Sequence, residues 1–199
     1  MVVDYTPLNR VLIKESYALP RVNEATSLLG GNNIFSSVDM TEAFWSVPLS
    51  ERSRPLTACG SPDGTYKYKQ LPMGLAISSA VLCRFLDHIL GSLKWTVALS
   101  YIDYFILFTK GEDEHMTALD ECFKRMNRYG LLLNASKCHL ACEEVLFLGH
   151  VVNKTGVQPD PERMAAMRTL PMPSDKDALQ RVLGLFSYSR AYNKEFSRI

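Results

Sequence analysis

The chain carries almost no net charge. Its 199 residues hold 22 Lys and Arg against 21 Asp and Glu, a balance of +1 at pH 7. Composition alone therefore does not announce a nucleic-acid binder. No apolar run is long enough to span a bilayer: the most apolar stretch, Thr96 to Phe108, is short and has Asp103 inside it. The start, Met1 to Arg10, carries Asp4 and no apolar core run, so no signal peptide is read there. Cysteines number five, an odd count at no framework spacing, which points to reduced thiols inside a cell, in cytoplasm or nucleus, and not to a secreted scaffold. No repeat or low-complexity segment is present. What remains is an ordinary soluble globular composition. The chain is long enough for a sizeable core in one domain or two small lobes.

The hydrophobic pattern predicts the elements. Tyr17–Pro20 and Pro48–Pro55 are Pro-punctuated and read as extended or turning. Phe35 to Asp39 reads as a short strand ending in a carboxylate, followed by one or two helical turns over Thr41–Val47. Thr57–Ser61 and Thr65–Leu71 flank Pro62-Asp63-Gly64 as a hairpin, with Tyr66 and Tyr68 on one face and Lys67 and Lys69 on the other. Ser78 or Ser79 caps a helix whose apolar positions are Val81, Leu82, Phe85, Leu86, Ile89, Leu90 and Leu93. Thr96–Phe108 gives two strands around Asp103. Glu114–Tyr129 is an amphipathic helix through Met116, Leu119, Phe123 and Met126, stopped at Gly130. Val145–Val152 is another strand pair containing Gly149. Asp160-Pro161 starts a helix, and Ser174 with Asp177 forms a capping box for a last one through Leu179, Val182, Leu183 and Phe186. This order matches a split βαβ core of ferredoxin-like topology. The segment after about Gln158 reads as a separate helical lobe.

Asp103 sits between two apolar, β-prone runs, at a hairpin tip. A carboxylate there is costly to shield from water unless a cation meets it. In a βαββαβ sheet the end of the strand carrying Asp39 can neighbour that tip, and paired carboxylates favour a divalent cation between them. The plainer reading makes each aspartate a turn or cap residue. Cys138, His139, Cys142 and His150 match no zinc spacing. Lys67, Lys69, Lys94 and Arg84 read equally as the lining of a nucleic-acid cleft and as a solvated face.

The surroundings of the two aspartates decide between these readings. Phe35 to Leu49, Leu71-Pro-Met-Gly74, Tyr101-Ile-Asp103, Gly130-Leu-Leu-Leu-Asn134 with Lys137-Cys138, Phe147-Leu-Gly-His150, Pro159-Asp-Pro161 and Leu183-Gly-Leu185 through Tyr188 follow one another in a fixed order. With Val3-Asp4-Tyr5, Leu8-Asn9, Tyr17–Arg21 and Leu29-Gly-Gly31, the series resembles the reverse transcriptase domain of LTR retroelements, both Ty3/gypsy-like and retroviral. The resemblance covers nearly all of the chain. It implies an α+β right-hand polymerase palm built on a ferredoxin-like split βαβ sheet, with partial fingers and a helical thumb. The implied division is fingers 1–14 and 47–77, palm 15–46 and 78–152, thumb 153–199.

The same resemblance implies roles. Asp39 and Asp103 hold two Mg²⁺ ions, or Mn²⁺, for nucleotidyl transfer. Lys137 is placed to protonate departing pyrophosphate. Met40, Glu42, Ala43, Phe44 and Met73 line the nucleotide pocket, with Phe44 excluding a ribose 2′-hydroxyl. Phe147, Leu148, Gly149 and His150 form the primer grip. Partners are an RNA template, a DNA primer and a dNTP, with RNase H and integrase domains in the parent polyprotein and no membrane.

Two departures set this chain apart. The family motif has a second aspartate after Asp103, and here that degenerate catalytic position is Tyr104. A phenol does not replace a carboxylate on a hard cation. A unit charge near 4 Å is worth roughly 4 kcal/mol at an effective dielectric of 20, and even that is on the order of a thousandfold in rate. The family's triphosphate-binding basic residues fall upstream of Val3-Asp4 and would precede Met1. The expectation is polymerisation that is severely impaired or absent. Its rivals are a module that binds RNA–DNA hybrid or a protein partner without chemistry, and a decayed element fragment without function.

Overall fold

A computed structural model describes residues 3–14, 17 and 21–188. In chain order its helices are α1 (Thr6–Val11), α2 (Val22–Leu29), α3 (Ser78–Leu90), α4 (Glu112–Arg128), α5 (Pro161–Arg168) and α6 (Lys176–Tyr188). Its strands are β1 (Ile34–Asp39), β2 (Cys59–Ser61), β3 (Gly64–Tyr66), β4 (Ala98–Tyr101), β5 (Tyr104–Thr109), β6 (His139–Cys142), β7 (Glu144–Phe147), β8 (His150–Asn153) and β9 (Gly156–Pro159).

The central sheet runs β4-β5-β1-β6. Every neighbouring pair is antiparallel, with α3 between β1 and β4 and α4 between β5 and β6. That is the ferredoxin-like order expected from the sequence. Each strand divides its residues between two faces, as the pleat requires. Val38, Ala98, Phe105 and Leu107 join Leu82, Leu86 and Leu90 of α3 and Leu119, Cys122 and Met126 of α4 in one core. On the opposite face Phe35, Leu99, Ile106 and Phe108 meet Ala25 and Leu29 of α2 and Val145, Phe147 and Val152 of β7 and β8. The middle strands are therefore buried on both sides. Each fully buried Phe or Leu contributes roughly 1.5–3 kcal/mol.

Two buried serines interrupt the apolar pattern of β1. Ser36 Oγ accepts from the Ala141 N–H at 2.8 Å and lies 2.7 Å from His115 Nε2. His115 Nδ1 lies 2.9 Å from Thr109 Oγ1, which donates in turn to the Gly111 carbonyl. One arrangement satisfies every atom: Ser36 donates to Nε2 of a neutral imidazole whose Nδ1–H donates to Thr109. The chain ties β6, β1, α4 and β5 together through a histidine that is 1 % exposed.

The helix ends show how local chemistry stops each element. Asp160 accepts from the Glu162 N–H at 2.9 Å and caps α5, with Pro161 in the first turn. Gly91 ends α3 at φ +51, and Arg125 of α4 donates to the Leu90 carbonyl there. Gly130, at φ +67, ends α4 as expected.

Several expectations are corrected. Ser78 does not cap α3: its hydroxyl donates to the Pro72 carbonyl, and no side chain caps that helix. Met116 is exposed, because α4 turns His115, Ala118, Leu119, Cys122 and Met126 inward instead. Asp175 accepts from the Ala178 N–H before α6, which leaves no Ser174–Asp177 box. The β2–β3 hairpin is shorter than expected and ends at Tyr66. Ala18–Pro20 and residues 189–199 of the expected thumb lie outside the described residues.

Stability should fall with acid. Burial lowers His115 below its ordinary value of 6.5, and burial with Arg163 nearby lowers His150. The unfolded chain then takes up these protons first, so stability is full above about pH 6.5 and declines as pH drops below it. Thermal unfolding between pH 7.5 and 5 should show a falling midpoint that flattens in His115→Gln; a native midpoint constant over that range would contradict this account.

Candidate active site

The β4–β5 turn contains only Ile102 and Asp103, between the paired Tyr101 and Tyr104. Ile102 closes it at φ +56, a conformation that costs a β-branched residue about 1–2 kcal/mol. Tight closure puts Asp103 at an exposed tip. β1 lies beside this hairpin in a register that pairs Asp39 with Tyr104, and the Met40 N–H donates to the Asp103 carbonyl at 3.0 Å. Alternation then sends the Asp39, Tyr101 and Tyr104 side chains to the face that carries β7 and β8.

A third segment wraps the end of β1. The Thr41 N–H donates to Leu132, Met40 bridges to Leu133, and the Asn134 N–H donates to the Asp39 carbonyl at 2.9 Å. Cys138 Sγ approaches the same carbonyl at 4.0 Å. The 3₁₀ turn Ala135–Lys137 within this segment brings Lys137 Nζ to 3.7 Å from Asp39 Oδ1. The lysine side chain is 64 % exposed and the aspartate 19 %, so the pair contributes little to stability.

These groups line a cleft of about 680 Å³. Asp39, Asp103, Tyr104 and Lys137 stand on one wall, and Leu148 and Gly149 of the β7–β8 turn on the other. That turn has positive φ at both residues, +51 and +78, the pattern of a tight two-residue hairpin. Phe147 and His150 are buried beneath it. Met40, Glu42, Ala43, Phe44 and Met73 are not among the residues lining the cleft. Met40 and Ala43 are buried, Phe44 packs partly into the helix-side core, and Met73 is exposed. Glu42 precedes the 3₁₀ turn Ala43–Ser46 at φ +55.

Sequence reasoning did not place His139, Glu144 and Leu146 in the cleft, although they line it. The exposed-buried alternation of β7, with Glu144 and Leu146 outward, was the available signal. Lys94 and Arg84 turn elsewhere. Lys94 pairs with Asp87 of α3, which also accepts from Tyr17 and Ser100, and both cations lie over the Tyr17 ring. Lys67 and Lys69 are exposed.

Tyr104 takes a side-chain position of its own. Its hydroxyl donates to the Leu146 carbonyl at 3.2 Å, and its ring lies 5.9 Å from that of Phe147 at a tilt of 32°. Burial pushes its phenol above the ordinary value of 10.0. The nearby Ser37 hydroxyl, buried without a hydrogen bond of standard geometry, opposes that rise, and the Asp39 charge adds to it. Tyr104 is therefore neutral at physiological pH and offers no anionic oxygen.

Asp39 and Asp103 supply hard, charged oxygens for a divalent cation. Among the described residues no three Asp, Glu, His or Cys side chains converge on a metal-sized site. The donor set suits one ion better than two.

Residues 1–152 match the family model described as reverse transcriptase (RNA-dependent DNA polymerase). The chain is 32 % identical over 199 residues to the retrovirus-related Pol polyprotein from transposon opus of Drosophila melanogaster, covering all of this chain and 20 % of that protein. It is 33 % identical over 201 residues to the enzymatic polyprotein of figwort mosaic virus, covering 100 % of this chain and 30 % of the relative. The chain thus spans less than a third of the length of these relatives. Among solved structures, a foamy viral protease–reverse transcriptase in complex with double-stranded DNA matches at a TM-score of 0.87 and 25 % identity, over 96 % of this chain and 33 % of that one. The same enzyme in complex with RNA/DNA hybrid matches in fold at a TM-score of 0.81, with 24 % identity over 99 % of this chain and 27 % of that one.

The Tyr104 environment is open to direct measurement. The phenolate absorbance lost in Tyr104→Phe, relative to the native chain, should develop only above pH 10. A component titrating below pH 10 would mean that the phenol is solvated and not held as described.

Proposed function

This chain belongs to the reverse transcriptase (RNA-dependent DNA polymerase) family and is a reverse transcriptase-like domain of the retrotransposon and retroviral Pol type; from that premise we propose that it retains the primer–template cleft while its nucleotidyl transfer is severely impaired. The observation that carries this reading is the engagement of Tyr104. At the position beside Asp103 the cleft has a neutral phenol, bonded to Leu146 and stacked against Phe147, and no carboxylate.

Asp39 and Asp103 would hold one Mg²⁺ or Mn²⁺. Bound there, a divalent ion supplies Lewis acidity to an attacking hydroxyl and to the phosphate it attacks. The chain's own residues do the rest. The Asp39 carbonyl accepts from the Asn134 N–H, which fixes the backbone from which its carboxylate enters the cleft. Lys137, beside Asp39 and largely exposed, is free to turn toward a departing pyrophosphate and give it a proton. The Leu148-Gly149 turn, tight and resting on buried Phe147 and His150, would form the primer side of the cleft. What is missing is countercharge for a second ion: one unit charge near 4 Å is roughly 4 kcal/mol at an effective dielectric of 20. The substrates in this reading are an RNA template, a DNA primer and a dNTP, within a longer Pol polyprotein that also carries RNase H and integrase.

Primer extension on poly-rA with oligo-dT tests it. The native chain should extend weakly or not at all with Mg²⁺ or Mn²⁺, and Tyr104→Asp should raise the rate by about tenfold to a thousandfold, ~1.4–4 kcal/mol in barrier. Robust extension by the native chain, lost in Asp39→Ala, would overturn the impairment. Salt-sensitive hybrid binding without extension in either chain would favour a binding module, and neither activity would favour decay.

A further inference from the structure

We propose that Tyr104 is a positioning residue that braces the β7–β8 hairpin against the end of the central sheet, so that the position without a metal carboxylate holds one wall of the cleft in register with the other. The proposal concerns the free chain and stands whether or not the chain polymerises.

The two layers on this face meet through apolar side chains. Phe35, Leu99, Ile106 and Phe108 from the sheet pack on Val145, Phe147 and Val152 of the hairpin. Such contact is strong but non-directional, and it tolerates sliding. The hydroxyl of Tyr104 adds direction: it donates to one particular carbonyl, that of Leu146, across the layers. β7 is the outer strand of the sheet β7-β8-β9, where alternate carbonyls face no neighbouring strand. The phenol supplies a donor there. Its ring covers Phe147, itself 1 % exposed, and Tyr104 packs against the same core cluster. On the other side Tyr104 is locked by strand pairing to both Asp39 and Tyr101. One side chain thus links β5, paired with β1 beside Asp39, to the strand that leads into Leu148-Gly149.

An aspartate in place of Tyr104 would have no donor at neutral pH. Its shorter side chain would leave the Phe147 ring uncovered, and its charge would face an unpaired carbonyl. A carboxylate at position 104 therefore loosens the hairpin by the same change that adds a metal ligand.

Hydrogen exchange on the 199-residue chain tests the brace with two variants. Tyr104→Phe keeps the ring and loses the hydroxyl. Its amides in residues 144–153 should exchange about fivefold faster than native, while those of α3 and α4 keep their native rates. Tyr104→Asp, which loses ring and hydroxyl, should exchange about thirtyfold faster or more in the same segment. Restored protection in Tyr104→Phe relative to Tyr104→Asp, with local exchange still above native, is the graded rescue expected of a positioning role. Unchanged exchange over 144–153 in Tyr104→Phe would overturn the proposal, as would acceleration spread equally over α3 and α4. Faster local exchange in both variants supports the brace whatever the extension assay gives; gain of extension in Tyr104→Asp with unchanged exchange in Tyr104→Phe would count against the brace alone.

Discussion

The pairing of β1 between β5 and β6 is the constraint on which the rest of this molecule depends. β1 is buried on both faces and hydrogen-bonded on both edges, so its register is fixed by two cores and two ladders together. Because the side-chain period of a strand is two, a slip of one residue would drive Val38 out of the helix-side core and bring Asp39 into it. The price of such a slip, an uncompensated buried carboxylate, is several kcal/mol. Asp39 therefore faces the cleft because Val38 faces the helices. The Ser36–His115–Thr109 chain pins the same register by polar means, since only one setting of β1 places a hydroxyl between the Ala141 N–H and Nε2.

That register has a consequence for chemistry. It places position 104 directly across from Asp39, on the same face, with β7 overhead. A side chain there has two uses open to it. A carboxylate adds charge to Asp39 and Asp103 and must be neutralised by cations to be tolerated. A phenol instead fills the space between layers, covers Phe147 and satisfies an edge carbonyl. The first favours phosphate chemistry and costs cohesion in the absence of metal. The second favours cohesion and forgoes the charge. In this chain the choice has fallen on cohesion.

Much of this was legible in the sequence, and the reasons are physical. Phe35 to Asp39, the α3 stripe, the two strands around Asp103 and the Asp160-Pro161 start are local patterns, and local patterns survive folding. The α4 face was misjudged at Met116 because its buried stripe includes His115 and Cys122, and the histidine counts as polar until its two partners on β1 and β5 are known. Lys94 and Arg84 were ambiguous because the groups that claim them, Asp87 and Tyr17, belong to other elements. Sheet topology alone allows Asp39 and Asp103 to be neighbours, whereas the approach of Lys137 to Asp39 follows only from the motif resemblance, because a loop and a 3₁₀ turn carry no periodic signal. The link from Tyr104 to Leu146 had no signature at all, since its acceptor is a backbone carbonyl and any residue at 146 would supply one.

This separates what family membership carries from what it does not. The two cores that hold this fold together lie mostly away from the cleft. Neither core requires a carboxylate at position 104. The fold is held from the helix side of the sheet and from the α2 and β7–β8 side, while the chemistry is set by a few side chains at one end. A substitution at that end can leave the fold intact, and one that adds a contact between layers can strengthen it. Tyr104, bonded to the Leu146 carbonyl and tilted against Phe147, is a contact of that kind, and it lies at the end of the sheet where Asp39 and Asp103 stand.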